Sequence, residues 1–110
     1  SGATFFYSIQ DDGASVPFSV RAAVRLLDEG MLVIIGPSTS DQAVSASSAY
    51  GQLGIANISP GATADSLSDV TRYPSFFRLV PPDSAQARAI VNAMVYFNWT
   101  LVTPIYTNDQ

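Results

Sequence analysis

The segment Met31-Leu32-Val33-Ile34-Ile35-Gly36-Pro37 gives the clearest indication of the fold in this 110-residue sequence. Five consecutive apolar residues that end at Gly-Pro are typical of a short parallel strand covered on both faces. Residues 15–30 before it and residues 41–53 after it repeat apolar side chains at helical spacing. A buried strand between two helices predicts an α/β fold.

Four further segments rich in β-branched and aromatic side chains are predicted strands: residues 4–9, 55–59, 76–80 and 101–106. Asp83 and Gln86 resemble a capping box that opens a helix running to Phe97. Residues 60–75, rich in Gly, Pro, Ser, Asp and Thr, are predicted to form a loop with one helical turn near residues 66–69. Strands alternating with helices predict a Rossmann-like, doubly wound lobe with a mainly parallel sheet.

The composition argues against several classes of function. The chain has nine acidic residues against five arginines, a net charge of −4, and no Lys, His or Cys. A nucleic-acid partner is not expected, because phosphates are bound by clustered Lys and Arg. Disulfides, thiolate metal sites and catalysis by thiol or imidazole are not available to these residues. We therefore expect a protein that is not an enzyme and uses no metal or cofactor.

No apolar run approaches the roughly 18 residues that a membrane helix needs. The first residues, Ser1-Gly2-Ala3, also lack the basic-then-apolar pattern of a signal peptide. Any membrane attachment is therefore expected to come from segments outside this sequence.

Ligands of doubly wound sheets bind beyond the carboxyl ends of the strands. The loops of interest are therefore residues 36–41, 59–69, 80–84 and 107–110. The first, Gly36-Pro37-Ser38-Thr39-Ser40-Asp41, joins a buried strand to a helix start, where unpaired N–H groups and three hydroxyls favour an anion such as a carboxylate. It lacks the residues of a P-loop or a dinucleotide fingerprint. Simple capping by Ser and Asp would explain it without a ligand.

The second loop, Ser59-Pro60-Gly61-Ala62-Thr63, follows the next strand and is expected to emerge beside the first. Its backbone and the Thr63 hydroxyl would then share a ligand with the first loop, whereas an ordinary turn with an exposed Thr is the alternative. Asp83 is the nearest fixed negative charge at this edge and suits an ammonium group, although helix capping explains it equally. An anion site beside a carboxylate favours a zwitterion, of which an α-amino acid is the simplest.

The helix predicted over residues 83–97 carries two apolar stripes. One consists of Ala87, Ile90, Met94 and Phe97, and the other of Val91 and Val95. Such a helix can bury one stripe against its own sheet and the other against a second subunit. A single broad face within the core is an equally good interpretation.

Two N-glycosylation sequons occur, Asn57-Ile58-Ser59 and Asn98-Trp99-Thr100. Asn57 falls within a predicted strand, and the Pro that follows its sequon is unfavourable. Asn98 is therefore the better candidate of the two.

Several motifs occur in the order and spacing of one superfamily. They are Val33-Ile34-Ile35-Gly36-Pro37-Ser38, Ile58-Ser59-Pro60-Gly61-Ala62-Thr63 with Leu67-Ser68-Asp69, and Tyr73-Pro74-Ser75-Phe76-Phe77-Arg78. Over nearly the whole chain they resemble the receptor ligand-binding region of the type I periplasmic-binding fold. The stretches 80–89 and 97–102 look most similar to metabotropic glutamate receptors among class C receptors. Natriuretic-peptide receptors, type-B GABA receptors and the amino-terminal domains of ionotropic glutamate receptors share much of the pattern.

This resemblance implies most of the first lobe of a two-lobed extracellular domain, with a first strand, the end of the lobe and the second lobe lying outside this sequence. A ligand would bind between the lobes, and closure would be relayed through a homo- or heterodimer to the membrane. It also implies that Ser40 holds the ligand carboxylate, that Thr63 touches the carboxylate and the amino group, and that Asp83 faces the ammonium. Gly61 stands where the family often has Ser, so Gly61 and Ala62 are expected to offer backbone contacts only.

Two other functions fit the same resemblance. One is a soluble solute-binding protein that serves a transporter. The other is a ligand-free lobe used for receptor assembly, which would depend on Val91 and Val95 rather than on Ser40 and Thr63.

Overall fold

A computed structural model describes residues 2–105 of the chain. Its elements are helix α1 (Val16–Asp28), strand β1 (Val33–Ile35), helix α2 (Ser40–Gly51), strand β2 (Ala56–Ser59), a 3-10 turn (Asp65–Ser68), strand β3 (Phe76–Arg78) and helix α3 (Asp83–Tyr96). The three strands form one parallel sheet in the order β1-β2-β3. This arrangement confirms the predicted Rossmann-like α/β lobe with a parallel sheet.

Helix α1 ends where the sequence indicates, at a glycine in the left-handed region. Gly30 has φ = 76°, a conformation that residues with a Cβ rarely adopt. Its N–H donates to the Leu27 carbonyl at 2.9 Å, and the Met31 N–H donates to the Leu26 carbonyl at 3.1 Å. This pair of bonds is a Schellman motif, which satisfies two terminal carbonyls and directs the chain into β1.

Two small apolar clusters hold the lobe together. The first joins α1, β1 and α2 through Ala23, Ile34, Ala46 and Tyr50. The second joins α2 to the loop after β2 through Ala43, Ala62, Leu67 and Tyr73. Ala46 in the first cluster and Ala43 in the second let the backbone of α2 lie close to its neighbours in each cluster. Burial also raises the pKa of the Tyr50 hydroxyl to about 12, because desolvation disfavours its charged form. The second cluster fixes residues 60–69, which form one wall of the cleft described below.

Residues 4–9 are not a strand, so that prediction is wrong. The side chains of Phe5, Phe6, Tyr7 and Ile9 are each more than 80% exposed. No strand of the described residues pairs with this segment. Because a strand is stable only when its backbone is paired within a sheet, the right residue pattern alone leaves the segment irregular.

The predicted strand over residues 101–106 is also not observed in its described part. Residues 101–105 are irregular, whereas Tyr106 and the predicted loop 107–110 lie outside the described residues. Within residues 2–105, β3 is an edge of the sheet and has no partner on its outer side. Like residues 4–9, this segment therefore lacks the stabilisation that pairing with a strand of the sheet would give.

The start of α3 differs from the predicted capping box. Pro82 is the N-cap, and Asp83 is the first helical residue and does not cap with its side chain. The Gln86 side-chain amide donates to the Pro81 carbonyl at 3.1 Å instead of reaching back to an N-cap N–H. Proline fixes the extended φ that an N-cap needs but has no side-chain oxygen, so the cap has to come from elsewhere.

Helix α3 buries none of its residues. Ile90 and Phe97 of one stripe are 60% and 57% exposed, and Val91 and Val95 of the other are 54% and 75% exposed. The expected burial of a stripe against the sheet is therefore not observed within residues 2–105. Both faces of α3 remain available for contacts.

We expect the isolated 110-residue chain to be only marginally stable. Its radius of gyration is 17.2 Å, whereas a compact chain of this length has about 13 Å. Many large apolar side chains on residues 4–9, on α3 and beyond it are exposed, so little apolar area stabilises the fold. Thermal unfolding followed by circular dichroism should show a weak transition centred below about 60 °C. A cooperative transition above that temperature would contradict this expectation.

Candidate ligand-binding cleft

An open cleft of about 830 Å³ lies where the loops after β1 and β2 meet the start of α3. Its lining residues carry four hydroxyls and three carboxylates, and none of them is basic: Thr39, Ser40, Asp41, Val44, Thr63, Ala64, Asp65, Ser66 and Asp83. Three of the five residues predicted for the ligand site, Ser40, Thr63 and Asp83, line this cleft together. The other two, Gly61 and Ala62, are not among its lining residues.

Ser40 joins the two loops through its side chain. Its hydroxyl oxygen accepts hydrogen bonds from the N–H of Thr63 at 3.2 Å and of Ala64 at 3.1 Å. A serine hydroxyl accepts two bonds and donates one, so its proton is still available to a ligand oxygen. Ser40 therefore sets the distance between the cleft walls as well as offering a donor.

Thr63 connects Ser40 to Asp83. The Thr63 carbonyl accepts the N–H of Asp83 at 2.9 Å, which ties the loop after β2 to the first residue of α3. The Thr63 hydroxyl makes no hydrogen bond within residues 2–105. A backbone anchored on both sides holds this hydroxyl at the cleft wall, where it can donate and accept.

The start of α2 offers unpaired N–H groups to the cleft. The first helical bond of α2 runs from the Ala43 N–H to the Thr39 carbonyl at 3.0 Å, and no side chain caps the preceding amides. Those amides belong to Ser40, Asp41 and Gln42, and helix ends carry partial positive charge there. This wall therefore favours a negatively charged group, whereas the Asp83 carboxylate favours a positive one.

Gly61 and Ala62 shape the cleft from behind. Ala62 is fully buried, and its N–H donates to the Ser59 hydroxyl at 3.0 Å. A Cβ built on Gly61 would lie 2.8 Å from the Ser38 carbonyl oxygen, closer than real Cβ atoms approach a backbone. Glycine at this position lets the second loop lie directly against the first.

Three residues that hold the loops of the cleft in place were not identified from the sequence as part of the site. The first, Asn57, lies on the central strand and is 1% exposed. Its amide donates to the Gly36 carbonyl, and its oxygen accepts from the Ser47 hydroxyl at 2.9 Å. Asn57 thereby fixes the beginning of the first loop to both α2 and β2. Its sequence signal is an amide side chain in a short strand whose other residues are Ala, Ile and Ser.

Arg78, at the end of β3, supports the second loop. Its guanidinium donates to the carbonyls of Ala62 at 3.4 Å and Ala64 at 3.0 Å, and also to the Ser68 hydroxyl. Such charge-assisted bonds are among the stronger hydrogen bonds in proteins. The available sequence signal was that Arg78 is the single basic residue in the predicted strand 76–80.

Asp65 is the third residue and supplies the cap that Asp83 was expected to supply. Its carboxylate accepts the N–H of Ser84 at 3.3 Å and the Ser84 hydroxyl at 2.7 Å. This contact closes the second loop onto α3 and relieves Asp83 of the capping role. Capping therefore no longer explains Asp83, so its carboxylate can serve a ligand.

These features define a class of protein: an α/β lobe with an open cleft at the carboxyl edge of a parallel sheet, which is where ligands of such folds bind. The chain belongs to the family described as the receptor family ligand binding region, whose model matches residues 1–110. Comparison with known proteins thus confirms the resemblance found in the motifs.

The relatives are receptors. Over 77 residues, or 70% of its length, the chain is 38% identical to a metabotropic glutamate receptor of Drosophila melanogaster. It is 34% identical over 80 residues, 73% of its length, to taste receptor type 1 member 3 of Rattus norvegicus and of Mus musculus. The matched region is 8% to 9% of each relative, so the chain spans less than a tenth of their length. Among residues 2–105, no helix is long and apolar enough to cross a membrane.

Proposed function

We propose that the cleft is the first-lobe half of an amino-acid site in a receptor, on the extracellular face of the plasma membrane. The observation that carries the proposal is that Ser40, Thr63 and Asp83 line one cleft and are linked through the Thr63 backbone. The unpaired amides of α2 and the Ser40 proton suit a carboxylate. The Asp83 carboxylate suits an ammonium group. The Thr63 backbone is bonded to the Ser40 hydroxyl on one side and to the Asp83 N–H on the other, and within residues 2–105 the Thr63 hydroxyl is free to bind either group of the ligand.

Closure of a second lobe over this site is part of the same proposal. The cleft is open, and a small ligand reaches high affinity only when most of its surface is buried. A second lobe would bury the side chain of the amino acid and would read its identity. Ligand binding would then favour the closed state by its differential affinity, and a dimer would transmit the change to a membrane segment.

The test uses the complete ligand-binding region encoded around this chain. Thermal unfolding is measured with each of the common amino acids. A ligand that binds only the folded protein stabilises it by about 2.7 kcal/mol at a hundredfold excess over Kd. We expect at least one amino acid to raise the melting temperature.

The Asp83→Asn variant tests the ammonium contact with little change of shape. We expect its affinity for that amino acid to fall about tenfold to a hundredfold, because hydrogen bonds to charged groups contribute about 1.5–3 kcal/mol. Isothermal titration measures the loss. Asp28→Asn, which makes the same charge change at the exposed end of α1, should leave the affinity unchanged.

Two results would overturn the proposal. If no amino acid stabilises the folded protein, the ligand class is wrong. If an amino acid binds wild type and Asp83→Asn equally, its ammonium group is held elsewhere and this cleft is not the site.

A further inference from the structure

The peptide group between Ala62 and Thr63 lies between a cation and the candidate ligand site. It is a trans peptide, so its carbonyl and its N–H point to opposite sides. The Ala62 carbonyl accepts a hydrogen bond from the Arg78 guanidinium at 3.4 Å, and the Thr63 N–H donates to the Ser40 hydroxyl oxygen at 3.2 Å. Arg78 and Ser40 therefore hold the same peptide group from its two sides.

The Arg78 side chain brackets Thr63. Besides the Ala62 carbonyl, its guanidinium donates to the Ala64 carbonyl at 3.0 Å and to the Ser68 hydroxyl. Within residues 2–105, all three of these partners are neutral oxygens, so its positive charge acts on the peptide dipoles of the loop rather than on a carboxylate. Arg78 itself does not line the cleft.

The hydrogen bonds around Ser40 form a chain that starts at this charge. Bonds in such a chain polarise one another, so a cation at the Ala62 carbonyl strengthens donation by the Thr63 N–H at the other end of the peptide. The Ser40 oxygen accepts this N–H and that of Ala64, which leaves its own proton to donate. An ionised carboxylate gains most from a strengthened donor, because bonds to charged acceptors are the stronger ones.

We propose that Arg78 is a positioning residue for the carboxylate of the ligand, acting through the Ala62–Thr63 peptide and the Ser40 hydroxyl. This role rests on the amino-acid site proposed above and adds the source of its carboxylate recognition. None of the residues that line the cleft is basic, so the cation that favours the ligand carboxylate lies one hydrogen-bonded layer behind the wall. Asp83, at the other side of Thr63, would still bind the ammonium group alone.

The test compares an amino acid with its own α-carboxamide on the complete ligand-binding region. The probes are the twenty common L-amino acids and, for each that binds, the carboxamide, which keeps the ammonium group and removes the negative charge. Arg78→Met replaces the guanidinium by an uncharged, unbranched side chain. We expect the affinity of the amino acid to fall about tenfold and that of the carboxamide to change by less than about twofold, measured by competition titration.

Two further variants separate charge from geometry. Arg78→Lys keeps the positive charge but loses the planar fork that reaches two carbonyls and a hydroxyl, so it should recover only part of the lost affinity. Arg88→Met is the matched control, because it removes an arginine from an exposed position of α3. It should leave both affinities unchanged.

Amide hydrogen exchange on the same variants needs no ligand. The N–H groups of Thr63 and Ala64 should exchange faster in Arg78→Met than in wild type. The Asn57 N–H, which donates to the Ser75 carbonyl at 2.9 Å within the sheet, should keep its wild-type rate. A purely structural role of Arg78 would instead speed exchange at all three positions.

Three results would overturn the role of Arg78. One is an equal loss of affinity for the amino acid and its carboxamide, and another is unchanged exchange at Thr63 and Ala64. The third is faster exchange at Asn57 to the same degree. If wild type binds no amino acid, the proposed function fails and this role fails with it, a result that is obtained before any Arg78 variant is measured.

Discussion

Replacing Asn57 by Asp should destabilise the lobe at neutral pH by about 4 kcal/mol and by much less in acid. The Asn57 amide donates to the Gly36 carbonyl in a buried site. A carboxylate of the same shape would face that carbonyl with a negative charge, so the introduced group stays protonated when folded. Its folded-state pKa is raised above the unfolded value of about 3.9, so stability is retained below that pH and lost as the pH rises.

Urea unfolding of the complete ligand-binding region between pH 4 and pH 8 measures this effect. Asn92→Asp is the matched control, because Asn92 is an exposed residue of α3 and the same change there meets water. The difference in stability between the two variants should widen with pH. Equal behaviour of the two variants at all pH values would mean that Asn57 does not hold the first loop.

The sequence predicted those parts of the fold that depend on neighbouring residues. Gly30 ends α1, and the last three residues of the apolar run before Gly36-Pro37 form a parallel strand, because both depend on local conformation. The prediction that this strand is covered on both faces is wrong within residues 2–105, because Ile34 is buried whereas Val33 and Ile35 are 54% and 80% exposed. Residues 4–9 have an equally good strand pattern but lack a paired strand within the described residues. The pattern reports the capacity to form a strand, whereas pairing depends on the rest of the sheet.

The same distinction applies to the candidate site. Ser40, Thr63 and Asp83 were identified by their places after strands, and the structure brings all three to one cleft. The residues that hold them were missed, because their contacts join positions far apart in the chain. Arg78 reaches a loop 14 to 16 residues earlier, and Asn57 reaches Gly36 across 21 residues. Side-chain bonds of this range leave no periodic signal in a sequence.

Capping shows how a long-range contact alters the meaning of a local motif. The spacing of Asp83 and Gln86 is that of a capping box, but Asp65 from the second loop accepts the Ser84 N–H instead. The Asp65 carboxylate thus links the loop to α3, and the Asp83 carboxylate is not used for capping. Movement of this loop would therefore shift Thr63 and the start of α3 together.

Replacing Gly61 by Ser should lower both stability and ligand affinity. In this chain a Cβ at residue 61 would lie 2.8 Å from the Ser38 carbonyl oxygen, so one loop must move. Forcing extra atoms into a packed contact costs about 1–3 kcal/mol. The same movement would lengthen the bonds from Thr63 and Ala64 to the Ser40 hydroxyl, which are 3.2 Å and 3.1 Å. We expect weaker amino-acid binding, because both walls of the cleft depend on these bonds.

Urea unfolding and isothermal titration of the complete ligand-binding region check both effects of Gly61→Ser. Gly51→Ser is the control, because a Cβ at Gly51 would lie 3.6 Å from the Pro74 ring, an ordinary contact, at the end of α2. Serine has a higher helix propensity than glycine, so this control should be neutral or slightly stabilising. A gain of affinity in Gly61→Ser would show instead that the loops can separate and that the new hydroxyl reaches the ligand. The close approach of Gly61 to Ser38 would then not be required for the site, and the cleft walls would be set by the Ser40 bonds alone.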